Sequence, residues 1–345
     1  MRYIGSKTGT LPWLTKFVAE HAPQARSLCD PFAGTCSVSR MFKSQGFRVV
    51  TGDVLELSYV LQIATIGANR APAFRNVLSL PALRRRAEAT GVERVFAYLN
   101  GLQGRAGYLS RNFSEGAGRL FFSDLNAGKI DAVRETIQSW DRAGLLSAKE
   151  KSFLLAALIC SADKVANTAG TYYAHLKSLT RKARKIFVLL PVRPFNNGQE
   201  NVCRRQDARD VAATCSTDIL YLDPPYNDRD YSGYYHLPET LARGDEPLAC
   251  GASGIPKNRT NPKSDFCSPS RAQDAFATLV RCADARHIMI HYTTDGLVSH
   301  DAIVDMLSTR GSVIFNDVPV RAYSSRSGGG PAVAVHRVYW CATKG

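Results

Sequence analysis

The stretch Ile219-Leu220-Tyr221-Leu222-Asp223-Pro224-Pro225-Tyr226 decides how this chain is read. A short apolar strand runs straight into an acid, two prolines and an aromatic ring. Each proline fixes φ and lacks an N–H, so the pair ends the strand and stiffens the turn. The strand carries Asp223 to the edge of a sheet, and the turn holds Tyr226 where a flat ring can stack. That set of groups suits one task, gripping the exocyclic amine of a flat base. The amine lone pair is delocalised into the ring, so the nitrogen is a poor nucleophile. Acceptors bonded to its protons favour a more tetrahedral nitrogen whose lone pair points at an electrophile. Asp223 is the side-chain acceptor in this reading, and the carbonyl of Pro224 is the backbone one.

Nearer the N-terminus, Ser27-Leu28-Cys29-Asp30-Pro31-Phe32-Ala33-Gly34-Thr35-Cys36 reads as a short strand and a tight turn. A helical pattern follows from Ser37 through Val38, Met41 and Phe42. Phe47-Arg48-Val49-Val50 and Thr51-Gly52-Asp53 then form a second strand ending in an acid. About twenty residues separate the glycine turn from Asp53, the spacing of a βαβ unit that holds an adenosine at the carboxyl ends of its strands. Gly34 lets the backbone approach a ligand, and Asp53 can bind ribose hydroxyls. The chain has neither a GxGxxG fingerprint nor a GxxxxGK[ST] loop.

The chain of 345 residues carries a net charge of +14, which calls for a polyanionic partner, most simply DNA or RNA. From Lys164 to Gln199 there is no acid, and seven Lys or Arg residues fall there. Lys177, Arg181 and Lys185 are spaced i, i+4, i+8, one face if the segment is helical, with Lys182 and Arg184 on its flanks. A second acid-free window runs from Leu57 to Ala87 and closes on Arg84-Arg85-Arg86. The longest apolar run, Phe153 to Cys160, is far short of the roughly 18 residues of a membrane span. The N-terminal residues lack an apolar signal core, so a cytoplasmic, nucleoid-associated protein is expected. The nine cysteines include no C-x-x-C pair and read as reduced thiols; no zinc or other metal site is expected.

At Asp223 to Tyr226 the chain resembles the DPPY class of amino-group DNA methyltransferases, in its Dam-like, alpha-order branch, which methylate adenine N6. That resemblance implies S-adenosylmethionine as cofactor and catalysis by Asp223, Pro224, Pro225 and Tyr226. The class carries an F-x-G-x-G turn for the cofactor. Here Phe32 and Gly34 are followed by Cys36 in place of the last glycine, and Asp30, Pro31, Thr35 and Asp53 belong to the same cofactor region. Tyr3-Ile4-Gly5-Ser6-Lys7 looks like the class's first segment, with Tyr3 near the cofactor and Lys7 facing its methionine carboxylate. Asn201 to Ala208 looks like the strand and acid that flank the cofactor's adenine, which brings in Asp207 beside Asp223.

The resemblance extends through the middle of the chain. Ser123 is the expected N-cap of a helix from Asp124. Ala166 to Lys177 looks like a loop entering a DNA-facing helix, so Asn167, Tyr172, Lys177, Arg181, Lys182, Arg184 and Lys185 are expected at DNA, with Arg84, Arg85 and Arg86. Tyr231, Tyr234 and Tyr235 either stack on bases or pack under the loop that covers the flipped base. Glu246 to Ser270 reads as a long mobile loop that orders on DNA. Strands are expected at His287 to Tyr292, Ser312 to Phe315 and Val333 to Trp340, with a flexible hairpin loop at Ser324 to Gly330. His291 and His336 read as core or surface residues rather than catalysts.

The implied fold is α/β, the class I methyltransferase Rossmann-like fold. It has a seven-stranded, mostly parallel sheet ending in an antiparallel hairpin, and a mainly helical DNA-recognition insertion. Residues 1–56 and 200–345 form the expected catalytic domain and 57–199 the target-recognition insertion. The implied reaction is methyl transfer to N6 of an adenine rotated out of double-stranded DNA, with a cognate restriction endonuclease as a possible partner. Two alternatives stand beside it. One is an amino-methyltransferase acting on cytosine N4 or RNA adenine, and the other is a non-catalytic DNA-binding regulator on the same fold.

Overall fold

Seven strands form one sheet: β1 (Ser27–Asp30), β2 (Arg48–Asp53), β3 (Val202–Arg205), β4 (Thr217–Leu222), β5 (Ala285–Thr293), β6 (Gly311–Arg321) and β7 (Val333–Thr343). They come from a computed structural model that describes residues 7–84, 88, 90–258, 263–321 and 333–344. Tyr3, Arg85, Arg86 and the loop Ser324 to Gly330 lie outside the described residues. The strand order is β3-β2-β1-β4-β5-β7-β6. β1 to β5 run parallel, and β7 lies antiparallel between β5 and β6. The expected mostly parallel sheet with a terminal antiparallel hairpin is therefore present, with β6 and β7 longer than their apolar cores suggest.

Burial explains the run that opened the sequence reading. Central parallel strands are covered on both faces and so are apolar throughout rather than alternating. Ile219, Leu220, Tyr221 and Leu222 are all buried. On one face the helices Ala208–Ala213 and Ala272–Cys282 build a core with Cys29, Val50, Val211, Leu279, Ile288 and Ile303. Leu279 and Ile288 are fully buried there, and truncating either to alanine should cost about 2–5 kcal/mol. The helices Leu11–His21 and Ser37–Ser44 bury Leu14, Phe17, Val38 and Phe42, and Phe17 meets Trp340 of β7 edge to face.

The chain divides into a sheet unit (Ile4–Gln62, Phe195–Tyr231 and Asn261–Gly345) and a second unit built on Ile63–Pro194 and Ser232–Thr260. These bounds differ from the expected 57–199. Helix Glu56–Gln62 packs on β2 and β3, and Asn197 donates to the carbonyl of Phe47 at 2.6 Å, so both ends of that interval belong with the sheet. Residues 232–260 join the second unit instead.

The second unit is mainly helical. Gly91–Gly101 and Ala148–Val165 start with reciprocal capping boxes, Thr90 with Glu93 and Ser147 with Glu150. Ser123 caps Asp124–Arg142 as expected, accepting from the N–H of Asn126. The apolar run from Phe153 lies in Ala148–Val165, whose buried face includes Phe153 through Ile159, so it is a core helix. Among the described residues, no helix is long and apolar enough to cross a membrane.

Two expectations for this unit are corrected. The basic stretch from Lys177 to Lys185 is not a helix. Its backbone groups are taken up by two buried asparagines. Asn167 donates to the carbonyls of Leu176 and Ser178 and accepts from the N–H of Thr180. Asn126 donates to the carbonyls of Ala183 and Lys185 and accepts from the N–H of Phe187. Backbone bonded to side chains is unavailable for an i to i−4 ladder. The expected loop from Glu246 is also fastened over its first part. Arg134, fully buried, bonds Glu246 and the carbonyl of Asp245, Tyr108 donates to the carbonyl of Pro247, and Arg119 donates to those of Ala249 and Gly251.

Candidate active site

The strand order places the acids. Because β3, β2, β1 and β4 are parallel neighbours, their carboxyl ends lie along one edge. Asp53 and Asp30 end β2 and β1, Asp223 follows β4 directly, and Asp207 follows β3 after Gln206. The order reverses between β1 and β4, the switch point at which open α/β sheets form a crevice. Asp30 and Asp223 flank that point.

Asp30 is 2 % exposed. Its Oδ2 accepts from the hydroxyl of Ser39 at 2.5 Å, and its Oδ1 has no hydrogen-bond partner among the described residues. Burial raises its pKa to about 7, against the bond from Ser39 and with help from the charge of Asp223. Asp53 shapes the turn, since Oδ2 accepts from the N–H of Gly34 at 2.9 Å and Oδ1 from that of Leu55 at 3.0 Å. Burial raises the Asp53 pKa, and those backbone bonds oppose it. The turn itself is left-handed at Gly34 and at Cys36, with φ of 49° and 60°. Cys36 occupies a conformation that favours glycine, which is what the departure from F-x-G-x-G means structurally. Pro31 is buried in the turn, Thr35 bonds Ser37, and Phe32 lies half-buried with its ring edge to face on Phe266.

Lys7 is 4 % exposed and donates from Nζ to Oδ1 of Asp223 at 2.6 Å. Lys7, expected at a cofactor carboxylate, is paired here with the acid of the proline turn. Burial raises the Asp223 pKa, and the charge and hydrogen bond of Lys7 oppose the rise. Pro224 is buried, Pro225 half-buried, and Tyr226 half-buried with its carbonyl accepting from the N–H of Leu297 at 3.1 Å. Asp207 caps helix Ala208–Ala213, and its carboxylate is bonded by the backbone and side chain of Arg209. Burial pushes the Asp207 pKa up, but the Arg209 bonds outweigh it and hold it below the usual value.

The residues expected at DNA divide in two. Lys177, Arg181, Arg184 and Lys185 are exposed, as is Arg84 at the end of a short helix. Lys182 is half-buried and donates to the carbonyl of Asp163. Asn167 and Tyr172 are corrected from surface to interior. They are 0 % and 2 % exposed, Asn167 organising its loop and Tyr172 bonded to Asp163. Tyr231 is half-buried, Tyr234 stacks on Tyr173 with centroids 4.8 Å apart, and Tyr235 is core. Sequence reasoning missed the Ser39 bond to Asp30 and the Lys7 pairing. A serine spaced nine residues from an acid carries no signal of contact, and neither does a lysine 216 residues away.

The nine cysteines are free thiols. Among the described residues, no cluster of His, Cys, Asp or Glu is arranged to hold a metal. The acids at the carboxyl edge, one with an unpartnered buried oxygen, fit a cationic ligand held by a Gly-bearing turn.

Comparison with known proteins agrees with this geometry. The chain is 36% identical over 304 residues to the type II methyltransferase M.NlaIII of Neisseria lactamica, covering 87% of this chain and 85% of that protein. It is 32% identical over 334 residues to modification methylase StsI of Streptococcus sanguinis and 31% over 335 residues to M.FokI of Planomicrobium okeanokoites. Those matches take in 95% and 94% of this chain but 49% and 50% of the relatives, so the chain spans about half their length. Family membership implies a methyl donor and a DNA substrate. Residues 3–305 match the family described as D12 class N6 adenine-specific DNA methyltransferase, and the chain belongs to that family.

Proposed function

We propose that the protein transfers a methyl group from S-adenosylmethionine to N6 of an adenine turned out of double-stranded DNA. The observation that carries this reading is Asp223-Pro224-Pro225-Tyr226 at the carboxyl end of β4, beside the turn of β1 and the unpartnered oxygen of Asp30. The residues present fit that cofactor. Its ammonium and sulfonium are cations, and Asp30, Asp53 and Asp223 lie along the edge that would receive them. When bound, it supplies an electrophilic methyl group. Asp30 gives its free oxygen to the ammonium, Asp53 and the Gly34 turn hold the ribose end, and Phe32 borders the ring.

Asp223 and the carbonyl of Pro224 accept the two protons of the adenine amine, and Tyr226 stacks on the ring. These acceptors favour the pyramidal nitrogen of the transition state over the flat one of the ground state. The amine keeps its protons until the carbon–nitrogen bond has formed. The surplus proton then leaves through Asp223, whose raised pKa suits it to receive one. The second unit, built on residues 63–194 and 232–260, acts as the target-recognition region, with Arg84, Lys177, Arg181, Arg184 and Lys185 on phosphate. On this reading the product protects DNA within a type II modification system, with a cognate restriction endonuclease as partner.

The test is methyl transfer from labelled S-adenosylmethionine to unmethylated genomic DNA, with nucleoside analysis of the product. Label in N6-methyladenine is expected. Label in N4-methylcytosine would move the substrate to cytosine. Cofactor binding without label in DNA would point to RNA or to a regulator that has lost transfer.

A further inference from the structure

Two buried histidines lie behind Tyr226. His291 of β5 and His336 of β7 are 1 % and 8 % exposed, on strands that pair antiparallel. Nδ1 of His336 is 3.1 Å from Nε2 of His291, and the rings meet edge to face. Nδ1 of His291 is 3.4 Å from the hydroxyl of Tyr221, buried in β4. At the other end, the His336 ring meets the ring of Tyr226 at 67° with centroids 6.0 Å apart. A continuous chain thus runs Tyr221, His291, His336, Tyr226.

Both links can be filled with neutral rings. Either Tyr221 donates to Nδ1 of His291, whose Nε2–H donates to Nδ1 of His336, or Nδ1–H of His336 donates to Nε2 of His291, whose Nδ1–H donates to the oxygen of Tyr221. Both rings are held neutral. Burial lowers the His291 pKa well below its usual value, and that of His336 to about 4, with the nearby charge of Lys7 acting the same way on both. Neutrality suits the place, because a cation here would oppose Lys7 and a sulfonium ligand alike. A phenyl ring would offer an edge to Tyr226 but no bond to His291, whereas a neutral imidazole offers both.

We propose that His336, locked by His291 and Tyr221, is a positioning residue that fixes the plane of Tyr226 and through it the plane of the stacked adenine. The inference rests on the reading of Asp223 to Tyr226 given above. In-line transfer needs the amine within about 3–3.5 Å of the methyl carbon, and a displacement near 1 Å costs about 100-fold in rate. A tyrosine free to swing on its side-chain torsions would spread the base over such displacements.

The experiment measures methyl transfer to unmethylated genomic DNA by the unaltered 345-residue chain and by His336→Ala and His336→Asn, each with Tyr226 intact and with Tyr226→Ala. Asparagine keeps a polar partner for His291 while removing the ring, and thermal unfolding of each variant separates a folding defect from a loss of positioning. With Tyr226 present, kcat should fall about 10–100-fold at unchanged KM for S-adenosylmethionine. In the Tyr226→Ala background, changing His336 should alter the rate less than twofold. Equal losses with and without Tyr226 would overturn the proposal, as would an effect confined to cofactor KM. The unaltered protein is the control for the site itself. Absence of transfer by it sinks the functional reading, whereas transfer by it with additive variants sinks only the role of His336.

Discussion

Lys7 donates from Nζ to Oδ1 of Asp223 at 2.6 Å, with both side chains largely shielded from water. This pair holds a buried carboxylate in its charged, accepting form before any base arrives. Removing the ammonium leaves burial unopposed, so in Lys7→Gln the Asp223 carboxyl stays protonated to higher pH. The acid limb of the pH–rate profile should move upward, with the rate below the limb falling about tenfold for each unit of displacement. Single-turnover methylation across pH 5–9 measures it, and a limb that stays in place refutes the role given to the pair.

Asp223→Asn replaces an acceptor oxygen with a donor aimed at an amine that also donates. Methyl transfer should drop about 10²–10³-fold, the range for losing one preorganised group at a reacting centre. Calorimetric titration with S-adenosylmethionine should show a much smaller change in affinity. A variant that still methylates at the parent rate removes Asp223 from the mechanism.

Asp30 couples the pH to the empty and the loaded states with opposite signs. Its folded pKa of about 7 lies above the unfolded value, so between about pH 4 and 7 the folded chain holds a proton that the unfolded chain has released. Stability without cofactor should therefore fall as pH rises through that window, by at most about 4 kcal/mol. Asp30→Asn should flatten the slope in chemical denaturation. A cationic cofactor favours the ionised form, so its affinity should rise toward pH 7 with proton release, and Asp30→Asn should weaken binding and abolish that release.

Cys36 is fully buried with φ of 60°. Cys36→Gly relieves about 1–2 kcal/mol of left-handed strain. Against that it loses a buried side chain worth about 1 kcal/mol and frees the unfolded chain. The net change should lie within about 1 kcal/mol of zero. Cys36→Val keeps the strain, adds bulk to a closed site and should cost at least about 2 kcal/mol. Urea midpoints compare the two; equal losses would contradict the assigned backbone.

Lys177 and Arg181 are exposed, whereas Asn167 is buried beneath them. Lys177→Ala or Arg181→Ala should each lower the salt dependence of DNA binding by about one phosphate contact without changing stability. Asn167→Ala orphans the N–H of Thr180 and should cost about 1–3 kcal/mol of stability while leaving the salt slope unchanged. Filter binding over a salt series, set beside thermal unfolding, separates the two classes.

Local chemistry made much of the sheet unit legible. The Asp223 turn shows itself because prolines must end a strand, and β1, β2, β4 and β5 show themselves because strands covered on both faces must be apolar. The conformation of the basic segment is not legible in its spacing, because i, i+4 spacing describes a helix only where the backbone is free to bond itself. Asn126 and Asn167 take up those backbone groups, and their partners lie up to 61 residues away.

The amino-acid sequence by itself determined the fold class, the family and which acids end which strands, since these follow from apolar runs, turn chemistry and short-range spacing. Only the tertiary structure decided that Lys7 meets Asp223, that one oxygen of Asp30 has no partner among the described residues, that Cys36 sits in a left-handed turn and that His336 backs Tyr226. Those relationships depend on which strand lies beside which and on what surrounds each side chain. Strand order and burial are set by the packing of the whole sheet, and no local pattern encodes them.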